Sequence, residues 1–154
     1  MSAKLSAAET SIVIVVSEFN QPIIENLLQG ALDSFVHHGG LKSDINIYRV
    51  PGAFEIPGTI VQITKNQPPD AIVALGAIIR GETPHFDVVS GESARGIAEI
   101  SRNVDIPIIN GILTTDNAKQ AKDRSQVGGR NKGWDAMEAA LQTISVYQSM
   151  HTSS

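Results

Sequence analysis

Six consecutive residues, Arg80-Gly81-Glu82-Thr83-Pro84-His85, carry the densest potential chemistry in the chain. They follow the apolar run Ala71 to Ile79 and precede a stretch of helical periodicity, so they should join a buried strand to a helix N-terminus. Free backbone N–H groups and the helix dipole at such a start can hold an anion. Thr83 adds a hydroxyl. His85 adds the one side chain whose ordinary pKa lies near neutrality, which suits proton transfer; the plainer alternative is a helix-start residue bonded to backbone. Downstream, Lys119, Lys122, Arg124, Arg130 and Lys132 stand against Asp123 alone. That cluster reads as an anion site or a subunit contact, with a solvated helix face as the commoner alternative. Arg124 suits phosphate because its fork donates in a bidentate way. Glu55, just after a strand-ending Pro51-Gly52, is either a solvated turn residue or an acceptor for ligand hydroxyls. Phe19 is either a hydrophobic staple or a ring for stacking a planar ligand.

Several chemistries are excluded or disfavoured. There is no G-x-G-x-x-G, and Gly76 and Gly81 have the P-loop spacing but place Glu82 where that motif needs lysine. Gly128 and Gly133 fail the same way, with Trp134 following. The absence of cysteine removes disulfides, thiolate metal sites and thiol nucleophiles together. His37 and His38 close a helix and His151 is in the tail, so no histidine pair has metal-site spacing and no metal is expected. The net charge of −4 gives no general basis for gripping nucleic acid or an anionic membrane surface. No apolar run is long enough to span a membrane, and the first ten residues lack the apolar core of a signal peptide, so the expected location is the cytoplasm.

The elements that must position these groups follow from periodicity. Ser11 to Val16 reads as a strand buried on both faces. Asn20 then caps a helix with Pro22 in its first turn, whose stripe is Ile23, Ile24, Leu27, Leu28, Ala31, Leu32, Phe35 and Val36, ending at Gly39-Gly40. Ile45 to Val50 is a second strand. Ala53 to Lys65 reads as a short helix interrupted by Pro57-Gly58, and Ala71 to Ile79 as the central strand. Thr83-Pro84 should cap a helix running from about His85 to Arg102. Ile106 to Leu113 is a fourth strand, Thr114-Thr115-Asp116 opens another helix, and a last helix begins at about Lys132. Alternating strands and helices with near-continuous apolar strands predict an α/β fold, a flavodoxin-like three-layer α/β/α sandwich around a four-stranded parallel sheet. One domain should span 1–154, with 1–10 and 147–154 loose or used in subunit contacts. Ligands bind such sheets beyond the carboxyl ends of the strands, where these candidate segments should meet.

Taken in order, Phe19-Asn20, Pro51-Gly52-Ala53-Phe54-Glu55-Ile56-Pro57, Gly76 to Asp87, Gly111-Ile112-Leu113-Thr114-Thr115, Arg124 and Asn131-Lys132-Gly133 resemble the lumazine synthase family over about Ser11 to Ile144. The resemblance implies condensation of 5-amino-6-(D-ribitylamino)uracil with L-3,4-dihydroxybutan-2-one 4-phosphate, with no metal or organic cofactor. It implies that Phe19 stacks on the pyrimidinedione, that Ala53, Phe54 and Glu55 line the ribityl site, and that backbone groups of Ala77, Ile78 and Ile79 bind the ring edge. Glu82 and Thr83 would hold the phosphate with Arg124, with Lys132 near the same anion, and His85 would transfer protons. Family members usually have phenylalanine where this chain has Asn110, a position that normally reaches the neighbouring subunit's pocket. The family assembles as pentamers, in many members twelve of them in an icosahedral 60-mer, with sites between adjacent subunits. The short stretch between Arg124 and Lys132 points to the shell, although Ser125 to Arg130 is not the usual turn of shell formers. Riboflavin synthase is a further partner the resemblance suggests. Two alternatives stand beside the enzyme: a lumazine- or flavin-binding protein of the same fold, which Asn110 favours, and a flavodoxin-like redox or signalling module, which the fold alone would allow.

Overall fold

The computed structural model describes residues 5–82 and 84–151. Strands β1 (Ile12–Ser17), β2 (Ile45–Val50), β3 (Ala71–Ile79) and β4 (Ile108–Thr115) form one parallel sheet in the order β2-β1-β3-β4. Helices α1 (Ile23–His37), α2 (Ile56–Asn66), α3 (Phe86–Asn103), α4 (Ala118–Asp123) and α5 (Lys132–His151) connect and cover it. Because strand side chains alternate between faces, β1 feeds two cores. Ile12, Ile14 and Val16 pack with Leu27 and Phe35 of α1 and with Met137 and Leu141 of α5. Val13 and Val15 pack on the other side with Ile56 and Ile60 of α2 and Ile97 of α3. All nine residues of β3 are buried, which is why its sequence shows no polar alternation. The result is the three-layer, flavodoxin-like α/β/α sandwich that the sequence pattern predicts.

Several local expectations are corrected. Asn20 does not cap α1: Pro22 holds the N-cap position, and Asn20 takes φ +79° and sends its amide to the Ala77 carbonyl at 2.8 Å. Val36 lies off the buried stripe and is 45% exposed. Pro57-Gly58 does not interrupt a helix, because a one-turn 3-10 segment, Ala53–Glu55, comes first and Pro57 then falls in the first turn of α2, where no N–H is needed. The N-cap of α3 is His85, so Pro84 precedes that helix rather than opening it; Thr83 lies outside the described residues. β4 starts two residues late, since Pro107 offers only its carbonyl (to Ile72 N–H, 3.0 Å), and it runs on to Thr115, which pairs with Ile79. The helix after it is capped by Asn117, whose side chain accepts from Gln120 N–H at 2.9 Å. At the N-terminus, Ala7 is buried and donates to the His38 carbonyl at 2.8 Å. At the other end α5 continues to His151.

The start of α5 is fixed by one buried amide. Asn131 donates to the carbonyls of Asn26 (2.9 Å) and Ser125 (3.1 Å) and accepts from Trp134 N–H (2.9 Å). Gly133 permits this approach: a β-carbon there would lie 1.9 Å from the Leu27 carbonyl oxygen.

Candidate active site

A cleft of about 400 Å³ opens at the carboxyl ends of β1, β2 and β3. The sheet order creates it: β1 leads outward to β2 and its pairing with β3 ends at Val16 opposite Leu75. The last residues of β3, Gly76 to Ile79, therefore have no strand partner on their β1 side. This is the crevice position at which open α/β sheets bind ligands. Its floor is buried and aliphatic, from Ala53, Ala77, Ile78 and Ile79, and its rim carries two exposed rings, Phe19 (54%) and Phe54 (55%). Glu55, Glu82 and Pro84 complete the lining with Asn20, Pro51, Gly52 and Val89. The Glu55 carboxylate makes no hydrogen bond or ion pair among the described residues, so its acceptors face the cleft unfilled. The Gly81 turn uses φ +93°, a conformation that favours glycine, and brings Glu82 N–H to the Ile79 carbonyl at 3.2 Å. His85 follows on this loop; it is exposed, and its carbonyl accepts from Val89 N–H at 2.9 Å.

The basic residues are elsewhere in the chain's own surface. Arg124, Arg130 and Lys132 line a second pocket of about 420 Å³ with Ile112, Leu113, Thr114, Asn131 and Asp135. The two pockets share no lining residue. Their loop is closed at its base, where Ser125 bridges Asn131 and Lys132 N–H meets the Arg124 carbonyl at 2.9 Å. Among the described residues no carboxylate lies within 4.0 Å of any of the three cations. The wall of the pocket thus carries three cations against one carboxylate, Asp135, a net positive setting for an anion at the start of α5. By contrast, Arg49, on β2 outside both pockets, is held above its ordinary pKa by hydrogen bonds from its guanidinium to Glu25 (2.6 and 3.4 Å).

Of the residues singled out in the sequence, Phe19, Ala53, Phe54, Glu55, Ala77, Ile78, Ile79 and Glu82 converge on the cleft; Arg124 and Lys132 do not, and His85 follows the lining residue Pro84 without itself lining the cleft. Asn110 lines neither pocket. It sits on the outer edge strand, exposed, and its Oδ1 accepts from Ile112 N–H at 3.0 Å, an edge donor that no neighbouring strand takes. Two residues gain weight from the structure. Arg130, visible in the sequence only as one charge among five, joins the anion pocket, and Asn131, visible only as part of a motif, holds the backbone between Arg130 and Lys132.

Comparison with known proteins places this geometry in context. Residues 9–148 match the model of the family described as 6,7-dimethyl-8-ribityllumazine synthase. Proteins of that name from Chlorobium limicola and Chlorobium chlorochromatii are 42% and 45% identical, aligning over 96% of both chains in the first case and over 95% of this chain and 94% of the relative in the second. The protein of that name from Chloroherpeton thalassium is 41% identical over 97% of each chain. The chain therefore belongs to the 6,7-dimethyl-8-ribityllumazine synthase family.

Proposed function

We propose that this protein condenses 5-amino-6-(D-ribitylamino)uracil with L-3,4-dihydroxybutan-2-one 4-phosphate to 6,7-dimethyl-8-ribityllumazine, without a metal or organic cofactor. The observation that carries the reading is family membership over residues 9–148 together with an aromatic-rimmed cleft lined by the motif residues from Phe19 to Glu82. Phe19 stacks on the pyrimidinedione, and the end of β3, which has no strand partner on its β1 side past Leu75, offers backbone groups of Ala77, Ile78 and Ile79 to the ring edge, the Ala77 carbonyl also accepting from the Asn20 amide. Ala53, Phe54 and Glu55 receive the ribityl chain, with Glu55 accepting from its hydroxyls. The 5-amino group attacks the ketone and loses water to form an imine. Elimination then expels inorganic phosphate, and ring closure by the ribityl-bearing nitrogen releases a second water. Each step moves a proton, and His85, on the loop beside Glu82 and Thr83, is the residue assigned to that transfer. Holding two substrates together supplies much of the remaining acceleration.

The phosphate needs cations that the cleft of the same chain lacks. The reading therefore places the pocket of Arg124, Arg130 and Lys132 from one protomer against the cleft of the next, in a cyclic pentamer with sites between subunits. Asn110, on the adjacent edge strand, would face that junction. A 60-mer of twelve pentamers and contact with riboflavin synthase extend the same reading. No described helix is long and apolar enough to cross a membrane, and a cytoplasmic location is part of the proposal. The binding-only alternative is not favoured, since the relatives named above are synthases. The test is phosphate release by purified protein given both substrates, compared with controls lacking the pyrimidinedione. Release that needs both, with matching growth of lumazine absorbance, is the expected result. Release no faster than the uncatalysed background would overturn it.

A further inference from the structure

We infer that Arg80 is a positioning residue that braces the loop carrying His85; the inference rests on the function proposed above. Arg80 stands at the entrance of that loop, where its backbone N–H donates to the Thr115 carbonyl at 2.9 Å and extends the pairing of β3 with β4. Its side chain then reaches across to the loop's far end. Nη1 lies 3.6 Å from Asp87 Oδ1, and the guanidinium carbon lies 4.3 Å from the centre of the Phe86 ring. Phe86 is nearly buried in the core beneath α3, so the guanidinium rests on a fixed platform. The same group turns Nε toward Asp116 Oδ1 at 3.3 Å.

Asp116 is itself held. Its N–H donates to Gln120 Oε1 at 2.9 Å, and Gln120 N–H donates to the Asn117 side chain that caps α4. One guanidinium therefore joins the start of α3 to Asp116, in the turn between β4 and α4, and Asp116 in turn is held by Gln120 of α4. The contact joins the two ends of the loop, with the described residues Gly81, Glu82, Pro84 and His85 between them. The loop turns at Gly81 with φ +93°, a residue with no side chain to pack, so bracing from outside has something to restrain. The Arg80, Asp87 and Asp116 side chains are all largely exposed, so these pairs add little to global stability. Their contribution is geometric, and a displacement of about 1 Å at a reacting group can cost about 10²-fold in rate.

The experiment is a kinetic cycle on the full-length assembled protein. Arg80→Ala should lower kcat by about 10- to 100-fold while the KM for the pyrimidinedione and the thermal midpoint stay close to wild type. Arg80→Lys should recover only part of the loss, because one ammonium cannot serve both carboxylates and stack on Phe86. In a His85→Ala background the Arg80→Ala change should have little further effect on kcat, since its target is gone. An equal fold-loss in both backgrounds would overturn the proposal, as would a rise in both KM values with a lowered thermal midpoint. Amide hydrogen exchange gives a readout independent of turnover: residues 81–86 should exchange faster in Arg80→Ala than in wild type. If wild type released no phosphate, the functional reading would fall and the exchange result would still decide whether Arg80 braces the loop. Unchanged exchange would overturn the bracing itself.

Discussion

Replacing Asn131 by alanine tests whether a single amide holds the anion pocket in shape. The side chain is 4% exposed and makes three hydrogen bonds: to the Asn26 carbonyl, to the Ser125 carbonyl and from Trp134 N–H. Truncation leaves two acceptors and one donor without these partners, and an unsatisfied buried group costs about 1–3 kcal/mol. Water can reach the half-buried Asn26 and Trp134 ends once the amide is gone, so the lower end applies to each. The expected loss is about 3 kcal/mol, a large part of the roughly 5–15 kcal/mol that keeps a domain folded. Urea unfolding followed by the fluorescence of Trp134, the chain's single tryptophan, reads the change next to the substitution. Protomer concentration must be held fixed, because association adds to apparent stability.

Asn131→Asp sharpens the test. It keeps the acceptor for Trp134 N–H but replaces the donor with an oxygen facing two carbonyls. Burial beside two acceptors favours the protonated acid, so the folded-state pKa of this aspartate rises above its unfolded value. The folded variant then carries a cost that is absent below the unfolded pKa and grows as pH rises toward the folded one. Measured as a difference from wild type at each pH, Asn131→Asp should be less destabilised at pH about 5 than at pH about 8, while Asn131→Ala should show no such trend. A loss under about 1 kcal/mol for alanine, or parallel pH behaviour of the two variants, would refute the clamp.

Other expectations are narrower. His85→Ala should reduce kcat by about 10²-fold with modest change in either KM, read by phosphate release; a loss within a few-fold would remove its proton-transfer role. Arg130→Ala should raise the KM for the phosphate-bearing substrate by about 10-fold, and should flatten the dependence of that KM on salt. An unchanged KM would return Arg130 to the solvated surface. Asn110→Ala should cost about 1 kcal/mol of stability, because the Ile112 N–H it serves is only part-buried at the sheet edge and water can reach it past the exposed Asn110 position.

β2 and β3 were legible to the residue because each abuts strong punctuation, Pro51-Gly52 after β2 and Pro68-Pro69-Asp70 before the continuous apolar run of β3. The last helix starts at Lys132 as expected, but the starts of α1 and α2 were not legible, and each miss has a physical cause. Asn20 has the composition of a cap, but its amide is drawn across the crevice to Ala77. Pro57 resembles a breaker until the 3-10 turn before it shifts the register by which it is judged. The cleft was legible as a meeting of strand ends, since that follows from topology. The separation of Arg124 and Lys132 from it was not, because sequence order says nothing about which side of β4 the start of α5 occupies. Asn131 is harder still: its role depends on burial, and one of three polar residues between Gly129 and Gly133 gives no sign of that.

The separation of cations from cleft has a consequence that mixing experiments can reach. Within one protomer, Glu55 and the cations Arg124, Arg130 and Lys132 form no ion pair among the described residues, and they lie in pockets with no residue in common. If catalysis uses the cleft of one subunit and the cations of the next, a chain defective in one half can be rescued by a chain defective in the other. His85→Ala damages the cleft side and Arg124→Ala the cation side, and each should be nearly inactive alone. After the two are unfolded together and reassembled at equal amounts, a given site draws an intact cleft half the time and an intact cation pocket half the time. About a quarter of the sites should then be intact, and phosphate release should recover to about a quarter of wild type. A site built within one chain predicts the opposite, because every chain in the mixture carries a damaged half and no pairing can repair it. Activity that stayed at the sum of the two variants, in assemblies shown to contain both chains, would refute the shared site.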